Sequence, residues 1–370
     1  MSDTETGAAD TNGLPPTQLL ARNIDRIQGE RLLLLGAPKD AAVVPLFRHH
    51  RGTVQAFDYS AHLLHARLTR ETGAALTPLF AATAAPSEPP YDLVVAYLQK
   101  GKDANDLLLA TAASVVAPAG RVFLVGENAA GIKPYAARLE ERVGPLESSD
   151  AARHCVLYEA RASEARPAVQ LDAWEQHFRV PVGRGALDVV SLPGVFSHGR
   201  LDEGTAFLLP HLPSDIAGRA LDFGCGSGVI GAAIASLNPG CAVSLVDSNA
   251  FALRSAERTF SANGLAAQVI RPVDGIDSLG TETFDLIVSN PPFHQGIGTD
   301  YTVVARFLQA CEQRLTDGGL LLMVANRFLP YERMIPKALR MSNVAEDAKF
   351  KVLQGRKNRG GAARRSHPPA

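Results

Sequence analysis

Asn290, Pro291, Pro292 and Phe293 follow directly on an apolar run, Phe284-Asp285-Leu286-Ile287-Val288-Ser289, whose composition predicts a buried strand. An open α/β sheet binds its ligands at the C-terminal ends of its strands. The two prolines fix φ and withhold two N–H donors, which leaves the Asn amide and the turn's carbonyls to face something else. Phe293 adds an aromatic ring. A planar substrate with an amino nitrogen needs such a clamp, with acceptors for its N–H protons and a ring face to stack on. The bland alternative is a tight turn whose Asn caps the next helix.

A second constellation lies upstream. Arg219-Ala220-Leu221-Asp222-Phe223 predicts a short strand, Gly224-Cys225-Gly226-Ser227-Gly228 a turn, and Val229 to Leu237 an apolar helix. Glycines there let the backbone take positive φ and approach a ligand with no Cβ in the way. The helix start adds unpaired N–H groups. Ala242 to Asp247 predicts a further strand ending in a carboxylate, which can accept both hydroxyls of a ribose. Together these features predict a nucleoside-cofactor site. Gly226, Gly228 and Gly231 also satisfy the dinucleotide pattern G-x-G-x-x-G, a weak signal alone. The run from Asp222 to Gly228 has the form typical of S-adenosylmethionine enzymes, and no hydride-transfer machinery follows it.

On these motifs the segment from Leu192 to Leu353 resembles the S-adenosyl-L-methionine-dependent ribosomal RNA guanine-N2 methyltransferases. Val195-Phe196-Ser197 through Leu201-Asp202-Glu203-Gly204-Thr205 is similar to the family's lead-in to its first strand. Asn290 through Gly296 is the most specific match, because adenine-N6 and glutamine methyltransferases usually carry Tyr where Phe293 stands. Val324 through Tyr331 and Lys349 through Leu353 resemble a late strand-and-loop and the closing strand.

The resemblance implies roles. Asn290 and the Pro291 carbonyl would accept the guanine amine, Pro292 would stiffen the turn, and Phe293 would stack on a base drawn out of its helix. Asp222, Gly224, Gly226 and Gly228 would line the methionine and ribose portions, Asp247 the ribose hydroxyls, and Asp274 the adenine amine from the end of a strand over Gln268 to Val273. His294 and Arg327 would touch substrate. A sulfonium methyl is already electrophilic, so no metal is expected. The implied partner is ribosomal RNA or a ribosomal subunit, with the small-subunit 16S rRNA preferred. Leu192-Pro193-Gly194 and Phe328-Leu329-Pro330-Tyr331 are similar to the small-subunit group, while Gly228-Val229-Ile230-Gly231, His294-Gln295 and Asn326-Arg327 resemble the 23S group. An adenine-N6 or protein-glutamine acceptor and a non-catalytic RNA-binding factor are the other readings.

The first half repeats the pattern without its chemistry. Arg31 and Arg219 stand about 188 apart, Asp58 and Asp247 about 189, Asp92 and Asp285 about 193, and Gly120 and Gly319 about 199, a drift that a duplicated fold with a few insertions would produce. Gly36-Ala37-Pro38-Lys39 replaces the glycine turn, and Leu98-Gln99-Lys100-Gly101 stands at the Asn-Pro-Pro-Phe place. The expected class is therefore α/β, with two tandem Rossmann-like methyltransferase domains, the N-terminal one degenerate and the C-terminal one catalytic. Boundaries are expected at 1–13 (a disordered N-terminus), 14–160 (the degenerate domain, aiding RNA recognition or support), 161–185 (a linker), 186–354 (the catalytic domain) and 355–370 (a basic disordered tail). The chain has 370 residues and net charge −1, so two soluble domains fit better than a strongly basic body. No apolar run suggests a membrane span, no signal pattern opens the chain, and four scattered cysteines suggest neither zinc nor disulfides. A cytoplasmic setting is expected.

Overall fold

The computed structural model describes residues 13–84, 87, 89–291, 301–329, 331–334 and 336–359. The chain divides into two compact units, the first reaching Glu175 and including Asn249–Phe251, the second taking the rest from Gln176 on.

In the first unit, β1 (Arg31–Leu35), β2 (Arg51–Ala56), β3 (Leu76–Phe80), β4 (Tyr91–Tyr97), β5 (Val116–Glu127), β6 (Leu146–Ala152) and β7 (Cys155–Arg161) form one sheet in the order β3-β2-β1-β4-β5-β7-β6. Five strands are parallel, and β7 enters antiparallel to β5 and β6. Its helices are α1 (Pro15–Arg22), α2 (Val43–Leu46), α3 (Tyr59–Thr72), α4 (Lys102–Val115) and α5 (Tyr135–Arg142). Leu33, Leu35, Val94, Ala96 and Leu124 join one core with Leu108 and Leu109 of α4. Their strand neighbours Leu32, Leu34, Leu93, Val95 and Phe123 join another with Leu19 and Leu20 of α1. Alternate residues thus bury on opposite faces, which is why Leu32–Leu35 is an unbroken apolar run.

In the second unit, β8 (Gln176–Val182) and β9 (Gly185–Ser191) make a hairpin. There follow α6 (Glu203–Leu208), β10 (Arg219–Phe223), α7 (Val229–Leu237), β11 (Ala242–Asp247), α8 (Ala250–Ala262), β12 (Val269–Pro272), β13 (Phe284–Ser289), α9 (Tyr301–Arg314), β14 (Leu315–Asn326), β15 (Leu339–Glu346) and β16 (Phe350–Lys357). The sheet runs β12-β11-β10-β13-β14-β16-β15, the order of the first unit repeated strand for strand.

The repetition reaches individual contacts. Asp92 accepts the backbone N–H groups of Glu30 (2.8 Å) and Arg31 (2.7 Å). Its counterpart Asp285 accepts that of Arg219 (2.8 Å) and the Thr316 hydroxyl (2.8 Å). Arg31 lies 5.7 Å from the centre of the Tyr91 ring, and Arg219 lies 5.2 Å from that of Phe284. Each sheet also carries a register shift two residues into the matching strand, between Tyr91 and Leu93 and between Phe284 and Leu286. Removing Asp285 leaves two polar groups without their acceptor, so Asp285→Ala should lower unfolding free energy by about 1–3 kcal/mol. Urea denaturation measures it, and an unchanged midpoint would refute the structural role assigned to this pair.

Two expected boundaries differ. The stretch 161–185 contains a 3-10 turn (Leu171–Trp174) and all of β8, because Gln176 to Val182 pairs with β9 in full register. The tail expected from 355 begins inside β16. Gly355, Arg356 and Lys357 pair with β14 or β15, the Arg356 guanidinium donates to the Gly318 carbonyl (3.0 Å), and Lys357 Nζ donates to the Leu315 carbonyl (2.8 Å). Paired backbone and tethered side chains hold this stretch against the sheet. Residues 360–370 lie outside the described residues, as do 1–12. Gly13 is described, its carbonyl taking the Gln18 amide at 2.5 Å.

Candidate active site

Strands β10 and β13 are parallel neighbours, with Phe223 paired to Ser289. The glycine turn leaves the first and Asn290 leaves the second, so one hydrogen-bonded pair places both at the same sheet edge. Between these strands the winding of the sheet reverses, since β11 lies beyond β10 and β14 beyond β13. That crevice is where open α/β sheets take ligands. Ser289 Oγ donates to the Phe223 carbonyl (2.8 Å) and clips the two ends together.

The turn itself is built on positive φ at Gly224 (74°), Gly226 (53°) and Gly228 (79°). It folds back on β11, since the Gly224 and Cys225 N–H groups both donate to the Val246 carbonyl (2.9 and 3.0 Å). A Cβ on Gly224 or Gly226 would meet nothing within 4 Å, whereas one on Gly228 would press on Ala256 at 3.0 Å. The first two glycines therefore face open space, and the third admits helix α8. The Asp247 carboxylate receives the Gly226 N–H at 2.9 Å, which ties the tip of β11 to the turn.

Asp222 is fully buried. Its Oδ2 accepts the Gly231 N–H of α7 at 2.7 Å, while Oδ1 is buried with no hydrogen-bond partner. Burial pushes its carboxyl up to about 7, the Gly231 bond opposes that, and the Asp247 charge adds to it. An acid that holds its proton more tightly folded than unfolded makes stability fall as pH rises from its unfolded value, about 4, towards 7. The thermal midpoint of the wild type should therefore drop across that window, and Asp222→Asn should flatten the drop. Parallel profiles for the two proteins would count against the assignment.

Asn290 is half-buried. Its Nδ2 donates to Asp202 Oδ2 (2.7 Å) and to Thr205 Oγ1 (3.0 Å). Asp202 is the N-cap of α6, taking the Thr205 N–H on the same oxygen at 2.9 Å. Gly204 lies against the pair, where a Cβ would sit 3.1 Å from Asp202 Oδ2 and 3.6 Å from Asn290 Nδ2. Asp202 and Thr205 carried no role in the sequence reading. The signal was present in Asp-Glu-Gly-Thr, an acid three residues ahead of a hydroxyl at a helix start, but a cap does not announce a tertiary partner.

The other expected site residues fall as follows. Pro291 is buried beside Asn290. Pro292, Phe293 and His294 lie outside the described residues. Asp274 is exposed beyond β12, taking the Ser278 hydroxyl. Arg327 is exposed just past β14 and donates from Nε to Glu346 (2.6 Å). The hydrogen bonds from Arg327 and Asn343 hold the Glu346 carboxyl below its ordinary range.

The first unit shows the same edge filled. Gly36 has φ 68°, like Gly224, but a Cβ there would lie 2.7 Å from Gln99 Nε2 and 2.8 Å from the Phe57 ring. The Gln99 amide donates to the Gly36 (3.1 Å) and Tyr97 (2.6 Å) carbonyls, and Asn105 brackets the Gln99 backbone from both sides. Side chains take the space that stands open over Gly224.

Known proteins share this architecture. The family description "Methyltransferase small domain" matches residues 186–354, and "Methyltransferase small domain N-terminal" matches 17–178. The chain is 38% identical to the ribosomal RNA small subunit methyltransferase C of Shewanella loihica over 92% of its length and 98% of that protein's. The chain belongs to the ribosomal RNA small subunit methyltransferase C family. The Pseudomonas aeruginosa (strain LESB58) member is 43% identical over 71% of this chain and 79% of its own. A solved T. thermophilus 16S rRNA N2 methyltransferase, in complex with AdoMet and guanosine, superposes with a TM-score of 0.79 at 26% identity, covering 93% of this chain and 92% of that one. The doubled domain is thus a property of the family, and the open glycine turn lies in the half matched by the methyltransferase domain.

Proposed function

We propose that the protein transfers a methyl group from S-adenosyl-L-methionine to the exocyclic N2 amine of a guanosine in 16S rRNA. The observation that carries this is the adjacency of the open glycine turn and Asn290 on the paired ends of β10 and β13. The residues present fit the cofactor. Space stands over Gly224 and Gly226, Asp247 offers a carboxylate at the tip of β11, and the buried Asp222 Oδ1 still lacks a donor.

S-adenosylmethionine supplies an activated sulfonium methyl. The remaining difficulty is the acceptor, because the guanine amine delocalises its lone pair into the ring. Asn290 Oδ1 and the Pro291 carbonyl would accept hydrogen bonds from its two N–H groups and hold the nitrogen closer to tetrahedral. As the N–C bond forms the S–C bond breaks, and the methylated amine then gives up one proton to water. This is catalysis by positioning and by charge placed where it develops. Phe293 stacks on the base, which leaves its helix to reach the crevice. Asp247 would hold the ribose hydroxyls and Asp274 the adenine amine. Phe328, 78% exposed next to Arg327, adds an aromatic face and a cation beside the same edge. The partner is ribosomal RNA, as naked RNA or within the small subunit. Among the described residues no helix is long and apolar enough to cross a membrane, and we place the enzyme in the cytoplasm with its substrate.

The test is incubation of purified protein with methyl-labelled S-adenosylmethionine and separated ribosomal subunits from a strain lacking the modification. Label should appear as N2-methylguanosine in 16S rRNA. Label on 23S rRNA alone would move the substrate, and label on neither would defeat the proposal.

A further inference from the structure

The geometry points to Asp202 and Thr205 as positioning residues that fix the polarity of the Asn290 amide, so that the site accepts an amino group and rejects a carbonyl. The inference rests on the guanine-amine reading above and adds the device that enforces it.

An asparagine side chain can present either its oxygen or its NH2 to a ligand, and nothing in the residue itself decides which. Here the neighbours decide. A carboxylate accepts and cannot donate, so the group facing Asp202 at 2.7 Å must be the NH2. The second amide proton goes to Thr205 Oγ1 at 3.0 Å. With both protons engaged, Oδ1 is all that Asn290 has left to offer a ligand, and Oδ1 only accepts. An incoming base must then supply a donor. Guanine N2, with two protons, satisfies it; a keto oxygen at that place would meet oxygen against oxygen.

Asp202 is well suited to this. One oxygen, Oδ2, takes both the Thr205 N–H that starts α6 and the Asn290 amide. The helix cap therefore fixes the carboxylate, and the carboxylate fixes the amide. Thr205 is held in the same way, since its backbone N–H is the capped group and its hydroxyl is the second acceptor. Gly204 makes the approach possible, because a Cβ would crowd Asp202 Oδ2 at 3.1 Å. No charge reaches the substrate directly. Asp202 acts through Asn290, and its negative charge strengthens the bond it receives.

Asp202→Ser, Thr205→Val and Thr205→Ser separate this role from simple support of the fold. Serine caps a helix about as well as aspartate but carries no charge, and its hydroxyl can donate as well as accept, so it no longer dictates which end of the Asn290 amide faces it. We expect Asp202→Ser to lower kcat about 10- to 100-fold and Thr205→Val about 10-fold, with S-adenosylmethionine affinity and thermal midpoint near those of the wild type. Thr205→Ser should recover most of the loss seen with valine. In an Asn290→Ala background, Asp202→Ser should have no further effect, because the group it positions is gone. A loss there equal to the loss in the wild type would overturn the inference, as would wild-type kcat in both Asp202→Ser and Thr205→Val. A second readout does not depend on turnover. The Asn290 side-chain NH2 should exchange slowly with water in the wild type and faster in both variants. Unchanged exchange overturns the inference whether or not the wild type methylates 16S rRNA, while inactive wild type with the expected exchange pattern would refute only the functional proposal.

Discussion

Replacing Asn290 by Ala is expected to lower methyl transfer to 16S rRNA by about 100- to 1,000-fold, the usual cost of losing one preorganised group at the reacting atom. Binding of S-adenosylmethionine should be unaffected. The reason is the layout of the site. Asn290 is held by Asp202 and Thr205 on the α6 side, whereas the glycine turn is held by Val246 and Asp247 of β11. The two halves touch through the β10–β13 pairing and the Ser289 clip, neither of which uses the Asn290 side chain. Single-turnover rates and calorimetric titration of the cofactor separate the effects. A variant that methylates within threefold of the wild type would remove Asn290 from the chemistry, and one that loses cofactor binding would show the halves to be a single unit.

Asp247→Ala should do the reverse. The carboxylate at the tip of β11 is the acceptor expected for the ribose hydroxyls, and it also holds the Gly226 N–H at 2.9 Å. Hydrogen bonds to an ionised acceptor contribute about 1.5–3 kcal/mol each, so losing the ribose contacts and the tether together should weaken S-adenosylmethionine by about 100-fold or more. The thermal stabilisation that saturating cofactor gives the wild type should shrink in step. Titration calorimetry and thermal melts check both, and a dissociation constant within threefold of the wild type would sink the assignment. Asp58 is the natural control, standing at the same place in the first unit. Its carboxylate turns to its own helix, taking the Ala61 N–H at 3.1 Å and capping α3, so Asp58→Ala should leave cofactor affinity alone.

That comparison also explains how one fold can keep a site in one copy and fill it in the other. The backbones agree in strand order, in the register shift and in the paired acids Asp92 and Asp285. What differs is a handful of side chains at one edge. Gln99 and Phe57 occupy the space over Gly36, and a half-buried glutamine with its amide bonded to two carbonyls is a stable plug, not a vacancy.

Much of this was legible in the residues. The bounds of α7, β11 and β13 follow from apolar runs ended by glycine, acid or proline, because local composition decides where a buried strand can stop. The duplication was visible in the drifting offsets between Arg31, Asp58, Asp92, Gly120 and their counterparts, since the same fold demands the same acids and glycines at the same turns. The pairing of glycine turn and Asn-Pro-Pro likewise came from residue type, because few chemistries need both. Other features depended on neighbours distant in sequence. That Asp222 is fully buried with an unpartnered oxygen is set by the packing of β10 beneath α7. That Gly355 to Lys357 are strand is set by backbone pairing with β14 and β15, which basic composition does not reveal. Above all, the link from Asp202 and Thr205 to Asn290 joins residues 88 and 85 positions apart in the sequence. Sequence alone determined which groups could do the chemistry; only the tertiary structure decided which way the Asn290 amide faces, because a side chain with one acceptor end and one donor end takes its orientation from what is packed against it.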